Sequence, residues 1–259
     1  EGLISLDENG NFLNYYGSNR VEMTPARLVQ QFWRRFMTRE QATATENFIP
    51  IEYSNVFLDD EGFIFATATT STTYDNQIVR LNPMGNDILR WRRLRWFQNS
   101  NFADVYTDEH GFVTAVDSVR GRIYQAEPDR GTMMFAFGGI GNMLGTFTRP
   151  VAIVGIDDRI LVLDRDKNAI TVFTLTTFGR AVREAQVLYL EGLYEESIEP
   201  WYEVIRRNSN YLFAYGGLGK AYYQMEEYET AMHYFKLGYN KSDYSDALKE
   251  HSIILMREN

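Results

Sequence analysis

Acidic residues at the tips of predicted hairpins are the first candidates for chemistry. Asp59-Asp60-Glu61, Asp108-Glu109 and Asp157-Asp158 each separate two apolar runs. Carboxylate oxygens are the ligands that calcium takes in proteins, so each cluster could contribute to a cation site. Aspartate is also a common turn former, and the three clusters fall on separate stretches of the chain. The pattern therefore favours polar hairpin tips over a calcium site.

A basic and aromatic segment is the second candidate. It reads Arg90-Trp91-Arg92-Arg93-Leu94-Arg95-Trp96-Phe97 and contains no acidic residue, in a chain of net charge −9. Arginine and tryptophan together suit anionic lipid surfaces, anionic glycans and acidic peptides, and both recur at protein interface hot spots. Its alternation also fits an outer strand whose aromatic side chains are packed. A predicted helix at 25–37 adds Arg34 and Arg35, so we hypothesise one shared surface for a protein partner, a membrane surface or a saccharide.

Other kinds of site are disfavoured by composition. The chain has no Cys, which excludes disulfides, thiolate zinc ligands and cysteine nucleophiles. His110, His233 and His251 are not spaced as metal ligands. The net negative charge argues against a nucleic-acid partner. We therefore predict no catalytic residue, no metal and no cofactor, and the lack of any apolar run of about 18 residues predicts no membrane span.

The elements that would position these residues are short strands in residues 1 to about 176. A strand, an acidic turn and a second strand recur at 56–66, 105–115 and, with a shorter turn, 153–163. A second element follows each copy, at 78–89, 123–135 and 170–173. Together these elements make units of four antiparallel strands at a spacing of roughly 45 residues, which is typical of β-propeller blades.

The hairpin with Asp, Gly and an aliphatic strand, followed by an Ile-aromatic or Ile-Val strand, resembles the NHL repeat of six-bladed propellers. The third copy departs from the pattern because it lacks the turn glycine. Some propellers of this kind bind a metal in their central channel through Glu, Asn and Asp. The resemblance would make Asn101, Asp104 and Asp117 the candidates for such a site, in a lactonase-like or lyase-like enzyme.

The first residues match the second half of a blade. Residues 3–13 resemble the second element, and Tyr15-Tyr16-Gly17 parallels the end of the element at 135–138. A helical insertion at about 20–48 follows, with helices near 25–37 and 39–45. About three and a half blades cannot close a ring. We therefore expect the C-terminal part of a longer protein, or an open propeller segment whose edge another chain or further residues would cover.

From about residue 179 the period becomes helical and repeats at 34 residues. Ala185 pairs with Gly219, and Trp201 with Phe235. Residues 215–238 resemble a tetratricopeptide repeat, a family of stacked helical hairpins whose groove binds peptides or partner helices. Tyr215 and Tyr223 are the candidate partner contacts. Pro200 departs from the pattern, and residues 244–257 are predicted to form a capping helix.

Tyr222, Tyr228 and Phe235 are predicted to pack between helices, and few Lys or Arg residues are available to bind an acidic tail. We accordingly predict a multidomain β + α protein. A partial propeller of about 3.5 four-stranded blades occupies residues 1–178, and a tetratricopeptide-like helical solenoid occupies residues 179–259. Its predicted function is a non-catalytic protein-interaction scaffold in a bacterial envelope or membrane-associated assembly. The alternative is an extracytoplasmic propeller enzyme with an interaction tail. The absence of Cys and the Thr-rich stretch at 66–73 favour an extracytoplasmic over a cytoplasmic location.

Overall fold

A computed structural model of the chain describes residues 3–16, 53–68, 77–89 and 100–258. The predicted helical insertion at about 20–48, with Arg34 and Arg35, lies outside the described residues. The basic and aromatic segment from Arg90 to Phe97 lies outside them as well.

The described residues form strands first and helices afterwards, which confirms the predicted β + α class. The strands are β1 Leu3–Leu6, β2 Phe12–Tyr16, β3 Tyr53–Leu58, β4 Ile64–Ala68, β5 Ile78–Leu81, β6 Phe102–Thr107, β7 Val113–Asp117, β8 Arg122–Ala126, β9 Met133–Gly138, β10 Pro150–Ile156, β11 Arg159–Asp164 and β12 Ala169–Thr174. The helices are α1 Thr177–Leu190, α2 Tyr194–Arg207, α3 Leu212–Gln224, α4 Tyr228–Leu237 and α5 Lys241–Glu258. None of the described helices is long and apolar enough to cross a bilayer.

The strands form four small antiparallel sheets in which each strand pairs with the next one along the chain. Their orders are β1-β2, β3-β4-β5, β6-β7-β8-β9 and β10-β11-β12. The main core lies between the second and third sheets, where Phe65 and Ile78 pack with Phe102, Val105 and other buried residues. Small sheets that bury their faces against one another are consistent with the blades of a partial propeller.

Strand register identifies β1-β2 as the second half of a blade. In this pair Leu6 lies opposite Phe12 and Ser5 opposite Asn14, so β2 carries one extra residue opposite the end of β1. The hairpin β8-β9 has the same irregularity at the same place, between Gln125 and Ala126. The first-half hairpins β3-β4 and β6-β7 instead carry their irregularity at the start of the first strand. The register thus agrees with the match seen in the sequence.

The terminal sheets expose faces that are buried between inner sheets. On β1, Ile4 and Leu6 are exposed, whereas the register-equivalent Tyr124 and Ala126 on β8 are buried. In the fourth sheet Leu163 and Ile170 are exposed. If Asp164 is aligned with Asp117, Leu163 corresponds to Val116 and Ile170 to Ile123. Val116 and Ile123 are fully buried in the third sheet. The exposed face of β1 is therefore equivalent to the face that the third sheet buries against the second sheet. The exposed face of the fourth sheet is equivalent to the opposite face of the third sheet.

Contacts divide the chain into two units, Glu1–Gly155 with Leu161–Thr171, and Ile156–Ile160 with Val172–Asn259. In the second unit the helices pair as hairpins, α1 with α2 and α3 with α4, and α5 packs on α4. The predicted equivalent positions are buried in both hairpins, Ala185 with Gly219 and Trp201 with Phe235. Helix α2 continues through Pro200 to Arg207.

Helices α1, α3 and α4 end at their C-termini with the same backbone arrangement. The residue after the cap has positive φ, 82° at Gly192, 64° at Glu226 and 55° at Tyr239. The next N–H then donates to a carbonyl five residues back, as from Glu227 to Tyr222 at 2.9 Å. This arrangement satisfies helix-end carbonyls and favours glycine at the left-handed position. Glutamate and tyrosine occupy it in two of the three cases, at a cost in free energy.

We expect Glu226→Gly to stabilise the helical unit by about 0.5–1 kcal/mol, since glycine removes the left-handed strain but adds entropy to the unfolded chain. The matched change Gly192→Ala should destabilise the same motif by about 1 kcal/mol, because the strain then appears in α1. A Cβ on Gly192 would meet no atom within 4 Å, so this control tests backbone conformation alone. Urea unfolding of both variants measures the two effects; equal signs would contradict the prediction.

Candidate interaction surfaces

Two of the three predicted acidic hairpin tips are held as turns by the side chain of their first aspartate, and in the third Arg159 Nη2 donates to Asp157 Oδ2 at 3.2 Å. Asp59 Oδ1 accepts hydrogen bonds from the backbone N–H groups two and four residues on, at 3.1 and 2.7 Å. Asp108 does the same at 3.1 and 3.0 Å. Asn82 does so at 3.1 and 2.9 Å with an uncharged amide oxygen, so the role does not require a carboxylate. Among the described residues no group of three or more His, Asp or Glu side chains is placed to hold a metal ion.

Asp104 joins two sheets through its carboxylate. Oδ1 accepts from the N–H of Val105 and Oδ2 from the N–H of Ile153 on β10, both at 2.8 Å. Burial raises the pKa of Asp104 and outweighs these two hydrogen bonds. Both carboxylate oxygens thus accept hydrogen bonds from backbone N–H groups, so the side chain links the third sheet to the fourth.

Asp117 and Asp164 hold equivalent turns in the third and fourth sheets. Asp117 Oδ1 accepts from the N–H groups of Val119 and Arg120 at 2.9 and 3.1 Å, and from the N–H of Asn101 at 3.3 Å. Asp164 accepts from four N–H groups, the shortest bond being 2.6 Å to Thr148. Burial raises the pKa of Asp164, but the four donors together hold it below the usual value.

The two predicted groove tyrosines lie on α3, two helical turns apart. The hydroxyl of Tyr215 donates to the carbonyl oxygen of Ser209 at 3.0 Å. Tyr223 is half-buried and its ring meets that of Tyr228 edge to face, with centroids 5.4 Å apart. The pair Tyr189–Tyr194 in the first hairpin has the same 5.4 Å separation. The other predicted partner residues lie outside the described residues; they are Arg34, Arg35, Arg90, Trp91, Arg92, Arg93, Arg95 and Trp96.

Tyr223 on α3 has three acidic neighbours on α5. Burial is the main cause of the raised pKa of Tyr223, and the carboxylates of Glu250, Asp246 and Asp243 on α5 add to it. One turn earlier on α3, the ammonium group of Lys220 lies 6.0 Å from the ring centroid of Tyr189 on α1. Tyr223 on α3 thus lies beside acidic groups of α5, whereas Tyr189 on α1 lies beside a cation.

A cluster of three tyrosines joins α2, α3 and α4. The hydroxyl of Tyr202 lies 2.7 Å from that of Tyr234 and 3.3 Å from that of Tyr222. The rings of Tyr222 and Tyr234 are stacked, with centroids 5.5 Å apart and an angle of 8° between their planes. Sequence reasoning predicted packing for Tyr222 alone. The cluster has no counterpart in the first hairpin, where Leu188 occupies the position equivalent to Tyr222.

This cluster predicts a loss of stability at alkaline pH. Burial, followed by the hydrogen bond to Tyr202, raises the pKa of Tyr234 from 10.0 to about 12, and the same causes raise the pKa of Tyr222. The folded unit therefore holds these protons more tightly than the unfolded chain does. The stabilisation should be complete below pH 10.0 and decline as pH rises towards about 12. Thermal unfolding of the wild type and Tyr234→Phe across this range, with tyrosinate absorbance, measures it; an identical alkaline decline in Tyr234→Phe would contradict it.

Comparison with known proteins gives likenesses to solved propeller structures. No family model matches the chain, and no curated protein matches it. A streptogramin B lyase structure is similar over 67% of this chain and 48% of that chain, with 15% identity and a TM-score of 0.35. A catalytically inactive virginiamycin B lyase from Staphylococcus aureus with quinupristin has the same identity and coverage and a TM-score of 0.34. The chain thus spans about half the length of each of these structures.

Proposed function

We propose that the chain is a non-catalytic protein-interaction scaffold in a bacterial envelope or membrane-associated assembly outside the cytoplasm. In this proposal residues 1–178 are an NHL-like propeller segment and residues 179–259 are tetratricopeptide-like repeats. The observation that carries it is the recurrence of one helical hairpin, with Trp201 and Phe235 buried at equivalent positions. Stacked hairpins of this kind offer a groove to peptides.

The charge around Tyr223 supports a partner of defined chemistry. Asp246 is exposed on α5 and Glu250 is half-buried there. The negative charges of both help to raise the pKa of the Tyr223 hydroxyl. Carboxylates beside an aromatic ring suit a ligand that carries a cation, since the ring face and the carboxylates both attract positive charge. We propose that the helical unit binds a peptide segment rich in Lys or Arg.

Fluorescence anisotropy with labelled peptides tests this proposal on the full chain. Peptides with Lys and Arg should bind more tightly than acidic peptides of the same length, and salt should weaken them. Glu250→Lys should reduce binding, whereas Glu195→Lys on α2 makes the same charge change at an exposed site elsewhere and should not. Preference for acidic peptides, or equal loss in the two variants, would contradict the proposal.

The basic and aromatic segment is proposed as a second partner surface. Arg92 and Arg93 are its central cations in the sequence, and Arg34 and Arg35 extend it. Reversing the charges of Arg92 and Arg93 should weaken binding of a partner or membrane to the propeller part. Unchanged binding would remove this surface from the proposal while leaving the helical groove untouched.

A further inference from the structure

The loop between β9 and β10 exposes an apolar tip. Ile140, Met143 and Leu144 have relative exposures of 54%, 76% and 100%. Leu144 therefore makes almost no contact with the rest of the described chain. Large apolar side chains in such a position are unfavourable in water and commonly mark an interaction site.

The backbone beneath this tip is fixed by hydrogen bonds. The N–H of Phe147 donates to the carbonyl of Gly139 at 2.8 Å, and the N–H of Gly141 donates to the carbonyl of Phe147 at 2.9 Å. The ammonium group of Lys167 donates to the carbonyls of Gly141 and Thr146, both at 2.8 Å. Phe147 is fully buried below the loop. The tip is thus presented by an ordered backbone, so its docking would need little further ordering.

Cations lie on the loop that bears the tip and on the turns at the same end of the strands. The β7-β8 turn lies against the loop, since a Cβ added to Gly121 would lie 2.8 Å from Ile140 Cδ1. Four arginines are exposed at this end of the strands, in addition to Lys167: Arg120 and Arg122 at the β7-β8 turn, Arg149 in the β9-β10 loop and Arg165 in the β11-β12 turn. Two of the three carboxylates there, Asp117 and Asp164, are buried and bound to backbone N–H groups, while that of Asp166 is exposed.

The other end of the same strands is acidic. The turns that precede β4 and β7 carry the acidic residues Asp59, Asp60, Glu61, Asp108 and Glu109. Arg80 pairs with two of them, Asp59 and Glu61. The second and third sheets run in the same sense, because the hydroxyl of Thr67 near the end of β4 donates to the carbonyl of Ala103 near the start of β6 at 3.3 Å. The sheet unit therefore has one basic edge with an apolar tip and one acidic edge, in a chain of net charge −9.

We propose that this basic edge docks on an anionic lipid bilayer, with Met143 and Leu144 inserted among the lipid headgroups. Apolar insertion and attraction to anionic lipid are the two terms that hold peripheral proteins on membranes. The acidic edge would be repelled by the same surface, so one orientation is selected. Exposed apolar side chains on a loop of fixed backbone suit insertion into a fluid headgroup layer. This surface is separate from the helical groove and goes beyond the proposed scaffold function.

A single thiol tests the insertion, because the chain contains no Cys. Leu144→Cys is labelled with an environment-sensitive dye and mixed with vesicles of phosphatidylcholine alone, or of phosphatidylcholine with phosphatidylglycerol. A blue shift and a rise in intensity are expected with the anionic vesicles only. Met84→Cys is the matched control, because Met84 is 81% exposed in the turn after β5, at the acidic edge. It should show no change.

Vesicle co-sedimentation then separates the two terms. The double change Met143→Asp with Leu144→Asp should weaken binding more than tenfold, and Met84→Asp should leave it unchanged. Arg122→Gln and Arg165→Gln should each weaken it about fivefold. No vesicle binding, or binding without a signal from position 144, overturns the proposal. If the protein does not bind vesicles and the Met143→Asp, Leu144→Asp variant loses cross-linking to a partner protein, the surface is a protein-binding site and the lipid assignment is wrong.

Discussion

Gly217→Ala is expected to destabilise the helical unit relative to Gly216→Ala by roughly 3 kcal/mol, although the two glycines are neighbours on α3. A Cβ on Gly217 would lie 2.4 Å from Cε2 of Trp201, whereas a Cβ on Gly216 would meet no atom within 4 Å. Trp201 is fully buried, and its ring packs edge to face on Phe213 at 5.6 Å, so it cannot move aside without strain. Both changes add the same helix propensity, which is worth about 1 kcal/mol.

Urea unfolding followed by the helical circular-dichroism signal measures this difference. Gly216→Ala should unfold at higher urea than the wild type, and Gly217→Ala at lower urea. Gly219→Ala provides an independent repetition, because its Cβ would lie 2.4 Å from Cδ1 of Phe235 on α4, in the same hairpin. If Gly217→Ala behaves like Gly216→Ala, the close approach of α3 to Trp201 is not part of the folded protein.

The helical repeat explains why one of these glycines was predictable and the other was not. Gly219 pairs with Ala185 at the 34-residue spacing, so a small residue is expected there. Gly217 pairs with Arg183, which gives no hint of close packing. Its partner Trp201 belongs to the preceding hairpin, so the contact arises between repeats. The tyrosine cluster escaped prediction for the same reason, because Tyr202 meets Tyr222 and Tyr234 from the neighbouring hairpin.

In the sheets, the sequence repeats predicted the hairpins and favoured turns over calcium ligands for the Asp residues at their tips. The hydrogen bonds of Asp59 are those of a residue that caps a turn. The equivalence of Asp117 and Asp164 was visible, since each is followed six residues later by Ile123 or Ile170. The apolar tip was not predictable, because Lys167 holds it from a turn more than 20 residues away in sequence.

Phe102→Ala is expected to cost the sheet unit about 3–5 kcal/mol. Phe102 is fully buried in the core between the second and third sheets, and its ring meets Tyr124 edge to face with centroids 5.9 Å apart. Alanine would remove that contact and leave a cavity that neighbouring strands cannot close, since Phe65 and Val105 are already held in their own sheets. Phe102→Leu should cost much less, because most of the volume is retained.

The matched control is Phe12→Ala on β2, where 54% of the residue is exposed and the same deletion should cost about 1 kcal/mol or less. Differential scanning calorimetry of the full chain can follow the sheet transition separately if the two units unfold independently. Phe102→Ala should then lower that transition and leave the helical one in place. Equal effects of Phe102→Ala and Phe12→Ala would mean that the second and third sheets do not share a core, and the assignment of these sheets as stacked blades would fail with it.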